Sequence, residues 1–420
     1  MKKIVLLSVV ASTMIMAGGD IVPVAAPAAP VEVSGWDFSG NAVVFYQTDD
    51  TTWITSRGVT SPVDNSLFSQ GASAADAGFQ LRAVNKDVFA GIGAGMEVSG
   101  LATLGLENWM VSDVMQSVDG TSIDNVISGG WISQLYVTYG VNNTSLKAGR
   151  QELPQSLSPF AYSEDWNVFK NTFDSVLLVN TDIPDTTLVG AYVYRANANG
   201  MHANMQDFNN LNDQDAVYML TAQNKSITNL TLTGSWYYGS EYLTTNDLNI
   251  LWGDAAYDAG MFTAAIQGGA VMHDDIDDTK AFGAKIGTTM SDITLGLAYS
   301  NVNDSTFGMF NLGGTTSVLY TNTVANQLVA NTFEFDADKF VVSAGTNVLG
   351  GNISGIYAYT DSSYTDSTNE FDLVYATNLT SSLGLSLAYA YLDTDVVDLD
   401  NDGAVGGSAN FIRAVARYNF

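Results

Sequence analysis

The chain has 420 residues, of which 14% are charged and 11% aromatic, with a formal charge of −29 and no cysteine. This acidity argues against nucleic acid as a partner, because phosphate backbones are bound by basic surfaces. Without cysteine the chain forms neither a disulfide framework nor a thiolate metal site. Soluble domains carry charge on nearer a quarter of their residues, so the composition favours another class.

The N-terminal segment has the pattern of an export signal. Lys2 and Lys3 precede an apolar run over residues 4–10 and small residues up to Gly19. This pattern predicts a signal peptide over 1–19, followed by a Pro/Ala-rich periplasmic linker over 20–35. The apolar run is too short to cross a bilayer as a helix, and no later segment is long and apolar enough.

From residue 36 onward the dominant pattern is strict alternation. Leu383, Leu385 and Leu387 share one face of a segment, while Gly384 and Ser386 share the other. Large apolar and aromatic residues on one face, with small or polar residues on the other, indicate lipid outside and water inside. A soluble sandwich, with its apolar face turned inward, is the alternative reading of the same alternation.

In chain order, the alternation predicts eighteen strands, at 36–46, 76–84, 92–106, 131–140, 144–150, 172–180, 185–195, 215–223, 229–239, 247–257, 261–272, 280–289, 292–301, 339–347, 352–361, 369–378, 383–393 and 409–420. Short links alternate with long ones, as periplasmic turns alternate with extracellular loops. The predicted fold is therefore all-β, a transmembrane antiparallel β-barrel over 36–420 in a Gram-negative outer membrane. The last strand alternates up to a terminal aromatic, Phe420, which resembles a barrel-assembly signal.

A barrel of this kind would act through charges that face its lumen. With the aromatic face taken as outward, strand parity turns eight charged residues inward: Arg82, Lys147, Asp174, Arg195, Lys285, Asp372, Arg413 and Arg417. On the lipid face a basic group costs about 2 to 4 kcal/mol at the membrane midplane. We expect acidic residues of the 151–171 connection, Glu152 among them, to face this basic wall across a narrow eyelet. An ordinary surface loop is the alternative.

Two acidic clusters fit a hard cation. One contains Asp398, Asp400 and Asp402 with Asp393 and Asp395 nearby, and it opens like an EF-hand loop, although Ala409 stands at the twelfth position. The other spans 273–278. The sequence leaves two interpretations of these loops, Ca²⁺ binding and simple solvation. The predicted function requires no cofactor.

Catalysis has little support in the sequence. The chain has two histidines, His202 and His273, and neither lies in a recognisable Ser-His or metal-ligand motif. We therefore expect no enzyme.

One stretch resembles a known family. The segment SLKAGRQELP at 145–154, followed by NTFDSVLLVNTDIPDTTLVGAYVY at 171–194, is similar to the major outer-membrane porins of Campylobacter-type bacteria, within the specific-porin superfamily. The resemblance implies an eighteen-stranded barrel, usually a homotrimer, that passes small and mostly cationic solutes, with Ca²⁺ as a family feature. By motif position, Arg150, Gln151 and Glu152 stand at the entrance of the constriction loop.

We therefore expect a porin for passive diffusion of small hydrophilic solutes and ions, mildly cation-selective because acidic loops concentrate cations at its mouth. Its surroundings would be outer-membrane lipid and lipopolysaccharide. The alternatives are a structural or adhesive protein anchored by its barrel and a substrate-selective nutrient channel. The apolar connection 302–338 fits three roles: a plug, a subunit contact, or an external binding surface.

Overall fold

The computed structural model describes residues 35–50, 66–118, 129–212, 215–242, 246–274, 276–303, 307–324, 327, 336–363, 366–394 and 407–420. In this part of the chain, eighteen antiparallel strands close into one barrel, and the predicted fold class is confirmed. The predicted signal peptide over 1–19 and the linker up to residue 34 lie outside the described residues. Among the described residues, no helix has the length and apolar content needed to cross a bilayer.

The barrel strands follow one another in chain order. They are β1 Asp37–Asp49, β2 Ser73–Phe89, β3 Ile92–Ala102, β4 Gly129–Val141, β5 Thr144–Gln151, β6 Phe173–Asn180, β7 Thr186–Asn197, β8 Val217–Ile227, β9 Leu230–Gly239, β10 Leu248–Asp258, β11 Phe262–His273, β12 Ile276–Met290, β13 Ile293–Val302, β14 Ala337–Val348, β15 Gly351–Ser362, β16 Asp366–Asn378, β17 Leu383–Thr394 and β18 Gly407–Asn419. A short strand, Phe208–Asn210, pairs with the end of β7.

The first and last strands close the barrel. In the β1–β18 pair, Val43 lies opposite Arg417 and Phe45 lies opposite Val415. The seam ends at Gly40 and Phe420, which exchange two backbone hydrogen bonds of 2.9 and 3.0 Å. Closure gives each barrel strand two hydrogen-bonded neighbours, which a sheet in lipid requires.

Alternation along each strand separates the two faces of the wall. Ile293, Leu295 and Leu297 of β13 are 50%, 40% and 55% exposed and point outward. Tyr192 and Tyr218 continue the outer face toward the long loops, with ring centroids 5.4 Å apart. Large apolar side chains left uncovered on the outside, bordered by aromatic rings, are typical of a barrel surrounded by lipid.

One strand is predicted too long by four residues. The alternation predicts a strand to residue 106, whereas β3 ends at Ala102. Leu104 and Gly105 have φ angles of 57° and 79°, and this left-handed backbone cannot continue a strand.

Four segments between strands fold into the barrel, and we call them loops A to D. They are loop A (103–118), loop B (152–172), loop C (198–207) and loop D (307–324). Gln116 and Ser117 of loop A pair in parallel with Ala203 and Asn204 of loop C. The barrel therefore holds a second, irregular layer of chain inside its wall.

The seam generates the first prediction. A Cβ at Gly40 would press against the carbonyl oxygen of Gln80 and lie 2.7 Å from the Phe420 ring. We expect Gly40→Ala to destabilise the closed barrel by about 1 to 3 kcal/mol, the usual cost of overpacking. The measurement is the temperature at which the folded protein converts to its slower-migrating unfolded form in SDS gels. Gly35→Ala is the control, since a Cβ there meets nothing within 4 Å, and equal behaviour of the two variants would contradict the prediction.

Candidate functional site

Loop B crosses the interior of the barrel. At one side the Phe160 ring packs edge-on against Tyr237 of β9 and Trp252 of β10, with centroids 5.8 and 5.4 Å away. At the other side the Arg417 guanidinium of β18 donates a hydrogen bond of 2.8 Å to the carbonyl oxygen of Val168. Because loop B contacts walls formed by distant strands, it narrows the lumen.

Loop D covers loop B. The backbone N–H of Leu312 donates to the carbonyl oxygen of Phe160 at 2.8 Å. Val318 and Leu319 are buried in the same apolar cluster as Phe160 and Trp252. The apolar side chains of loop D therefore avoid water by filling the side of the barrel formed by β7–β13.

Glu164 joins loops B, C and D. Its buried carboxylate accepts hydrogen bonds from Trp166 Nε1 at 2.7 Å, Asn199 Nδ2 at 3.2 Å and Asn311 Nδ2 at 2.9 Å. It also accepts from the backbone N–H of Thr316 at 2.9 Å and the Thr316 hydroxyl at 2.6 Å. Hydrogen bonds to a charged acceptor in a buried site are strong, so one side chain fixes the position of three loops.

Three of the predicted lumen residues lie beneath these loops. Arg413 is buried and donates through Nη1 to the Gln327 side chain at 2.8 Å. Asp372 is also buried and accepts from the backbone N–H of Val324 at 3.1 Å. The Lys285 ammonium lies 4.1 Å from the ring centroid of Tyr320 in loop D. All three face inward; Asp372 and Lys285 contact loop D, and Arg413 contacts Gln327, three residues beyond its end.

A second group of inward charges lies on the other wall and on loop B, and we call it the charged strip. Its seven members come from β2, β3, β5, loop B and β18: Arg82, Glu97, Lys147, Glu152, Asp165, Lys170 and Arg417. Arg82 forms ion pairs with Glu97 at 2.9 Å and with Glu152 at 3.2 Å. Lys170 lies 3.4 Å from Glu152. The side chains of Arg82, Glu152 and Lys170 are 37%, 33% and 42% exposed, so solute in the lumen can reach them.

Two bases of the charged strip differ from the others. In the described residues neither Lys147 nor Arg417 makes an ion pair. The Lys147 ammonium lies 3.9 Å from the centroid of the Tyr136 ring, and Arg417 donates to Asn41 Oδ1 at 3.1 Å. Both therefore keep positive charge that no carboxylate contacts directly.

Two loop members of the charged strip, Glu152 and Lys170, stabilise each other in the charged form. Enclosure by the barrel raises the pKa of Glu152, but the nearby Lys170 and Arg82 outweigh it and leave that pKa below its ordinary value. Glu152 in turn raises the pKa of Lys170, against the opposing effect of burial. The stabilisation from Glu152 is present above its ordinary pKa of about 4.3 and is lost as pH falls through the lowered value.

Three predicted lumen residues lie elsewhere, and this corrects the sequence analysis. Arg150 and Arg195 each form an ion pair with Asp174 on the outer face of β5–β7. Parity fails at Asp174 because the aromatic residue before it, Phe173, is buried inside the barrel rather than turned to lipid. It fails at Arg195 because a bulge leaves Tyr194 without a partner residue in β6 and reverses the side chains beyond it.

Sequence reasoning also missed residues. Glu97 lies on the same inward face as Gly95 and Ser99, so the parity of its strand could have revealed it. The role of Glu164 had no such signal, because its partners come from loops distant in sequence.

The metal prediction falls mostly outside the described residues. Asp395, Asp398, Asp400 and Asp402 are not described, and Asp393 is an exposed residue near the end of β17. In the described ranges no group of three or more His, Asp or Glu side chains is arranged to hold a metal ion. Calcium binding stays a prediction.

The fold and the inward loops define a class, an eighteen-stranded β-barrel of the Gram-negative outer membrane with a narrowed lumen. Solved structures of Pseudomonas aeruginosa proteins are similar to this chain, among them OccK8 (OprE) and OpdQ. OccK8 has 16% identity and a TM-score of 0.67, over 92% of this chain and 98% of that chain. OpdQ has 14% identity and a TM-score of 0.64, over 92% and 97%.

A third similar structure was solved with a ligand. It is OccK2 (OpdF) of Pseudomonas aeruginosa in complex with glucuronate, with 13% identity and a TM-score of 0.64 over 92% of this chain and 98% of that one. At these identities the likeness establishes the fold. No family model matches the sequence, and no curated protein matches it. The narrower resemblance to Campylobacter-type porins stays a prediction.

The Glu164 contacts generate the second prediction. In Glu164→Gln, an amide NH₂ replaces one acceptor oxygen and faces donors, so we expect the docking of loop D to weaken by about 2 to 5 kcal/mol. Limited proteolysis of the folded protein measures this as faster cleavage within loop D. Asp165→Asn is the matched control, because Asp165 is the next residue and is exposed to the lumen. Equal cleavage of both variants and the parent protein would contradict the role given to Glu164.

Proposed function

We propose that the protein is a passive outer-membrane channel for small hydrophilic solutes, selective for solutes that carry a carboxylate. One observation carries this proposal: a lumen partly filled by loops leaves a charged strip in which Lys147 and Arg417 have no ion-pair partner among the described residues. A solute carboxylate would satisfy these bases by charge-assisted hydrogen bonds. No reaction and no energy source are part of the proposal.

Selectivity would follow from the alternation of charge along the charged strip. Arg82 lies between Glu97 and Glu152, and Lys170 lies beside Glu152, so acidic and basic groups are neighbours. A polar solute can exchange its water of hydration for contacts with these groups, while its carboxylate contacts Lys147 or Arg417. The bound glucuronate of OccK2 supports this solute class by analogy of fold.

A second candidate is a general porin with mild cation preference. The formal charge of −29 favours it, since acidic loops raise the local concentration of cations. The homotrimer implied by the family resemblance also stays a prediction, as does calcium binding in the acidic loops.

Single-channel recording tests the proposal. We expect steady current steps from the folded protein in a planar bilayer, and a concentration-dependent block when glucuronate is added. Lys147→Gln removes an uncompensated base, so we expect the block to weaken about tenfold, the loss of roughly one charged hydrogen bond. Lys225→Gln is the matched control, because Lys225 is exposed near the turn after β8.

The outcomes separate the candidates. The general porin would be favoured by two results together. Glucuronate would not block the current, and the reversal potential in a salt gradient would show a preference for cations. No current from correctly folded protein would contradict both channels and support a structural or adhesive role for the barrel.

A further inference from the structure

A charged cluster lies on the outside of the barrel, near the ends of β5–β7 that lead to the long loops. Arg150 donates to Asp174 through Nε at 2.8 Å and Nη2 at 3.2 Å. Arg195 forms a second ion pair with the same carboxylate at 2.7 Å. Two guanidinium groups therefore share one carboxylate, which leaves one positive charge uncompensated on an otherwise acidic protein.

The backbone is shaped to turn Arg195 outward. Asp174 lies opposite Arg195 and Ser175 lies opposite Val193, so Tyr194 is an extra residue in β7. Without this bulge Arg195 would follow Val193 onto the inner face. Its side chain is 41% exposed, and its Nε, buried from solvent, has no hydrogen-bond partner among the described residues. A bulge that re-aims one side chain is a recurrent device at functional positions.

The cluster lies at the level of lipid headgroups. Tyr192 and Tyr194 on the same strand belong to the aromatic belt that borders the apolar band, and aromatic belts mark the membrane interface. The Arg195 guanidinium is 5.4 Å from the Tyr194 ring centroid. On the other side the Phe208 ring stacks 3.3 Å from the Arg150 guanidinium and limits its movement.

We propose that this cluster binds a phosphate group on the headgroup of an outer-leaflet glycolipid. Guanidinium groups present paired N–H donors that match phosphate oxygens, and the excess positive charge complements a phosphate. The neighbouring aromatic rings would contact the sugar and the upper acyl chains. The proposal depends on the membrane position of the barrel and not on the proposed channel function.

Native mass spectrometry of the full chain in detergent, titrated with diphosphoryl lipid A, tests this assignment. We expect Arg195→Gln to weaken lipid A binding about tenfold, since one charged donor group is lost. This variant keeps the Arg150–Asp174 pair. Lys225→Gln removes an equal charge near the turn between β8 and β9 and should bind like the parent protein. Arg195→Lys, which keeps the charge without the forked donors, should bind with intermediate affinity.

Two further binding measurements identify the source of the phosphate. We expect dephosphorylated lipid A to bind weakly to the parent protein, and millimolar inorganic phosphate not to displace lipid A. Unchanged lipid A affinity in Arg195→Gln would overturn the proposal, as would effective displacement by inorganic phosphate. Loss of an oligomer in Arg195→Gln with lipid binding intact would also overturn it, because the cluster would then be a contact between copies of the chain. Channel current recorded on the same preparations tests the proposed function separately.

Discussion

The carboxylate of Glu164 is bound by five hydrogen-bond donors from loops B, C and D, and in the described residues it makes no ion pair. A buried charge is tolerated only where its environment replaces the water it loses, so these donors must stay in place together. The arrangement also requires Gly314, because any Cβ there would collide with the Glu164 carboxylate. Three irregular segments therefore adopt one defined arrangement inside a barrel that would otherwise be wide and open.

The position of the solute path follows from that arrangement. Loops B and D pack their apolar side chains against β7–β13, where Phe160, Tyr237 and Trp252 form a dry cluster. The charged strip lies on the opposite wall, where Arg82 and Glu152 meet. Filling one side of the lumen thus concentrates the charged strip on the other. A narrow path beside charged groups discriminates solutes better than a broad one, because each solute must contact them.

The sequence predicts the barrel well because one constraint governs every strand. Lipid outside and water inside impose a period of two, and the eighteen strands follow from it, as do the inward positions of Arg82, Lys147 and Arg417. The period-two rule fails where another interaction determines which way a side chain points. Phe173 faces inward because the loops provide an apolar interior, and Arg195 faces outward because of a bulge. The loop contacts of Glu164 depend on tertiary structure, which no local pattern encodes.

The most direct test of the central claim is the accessibility of single cysteines, which this cysteine-free chain allows without background. Thr138 lies opposite Lys147 on the wall of the charged strip, and Ala281 is buried on the filled side. In Thr138→Cys we predict rapid modification by a charged thiol reagent and a fall in channel current, whereas Ala281→Cys should stay unmodified and conduct normally. Equally fast modification at both positions, with equal loss of current, would contradict a path confined to the charged strip.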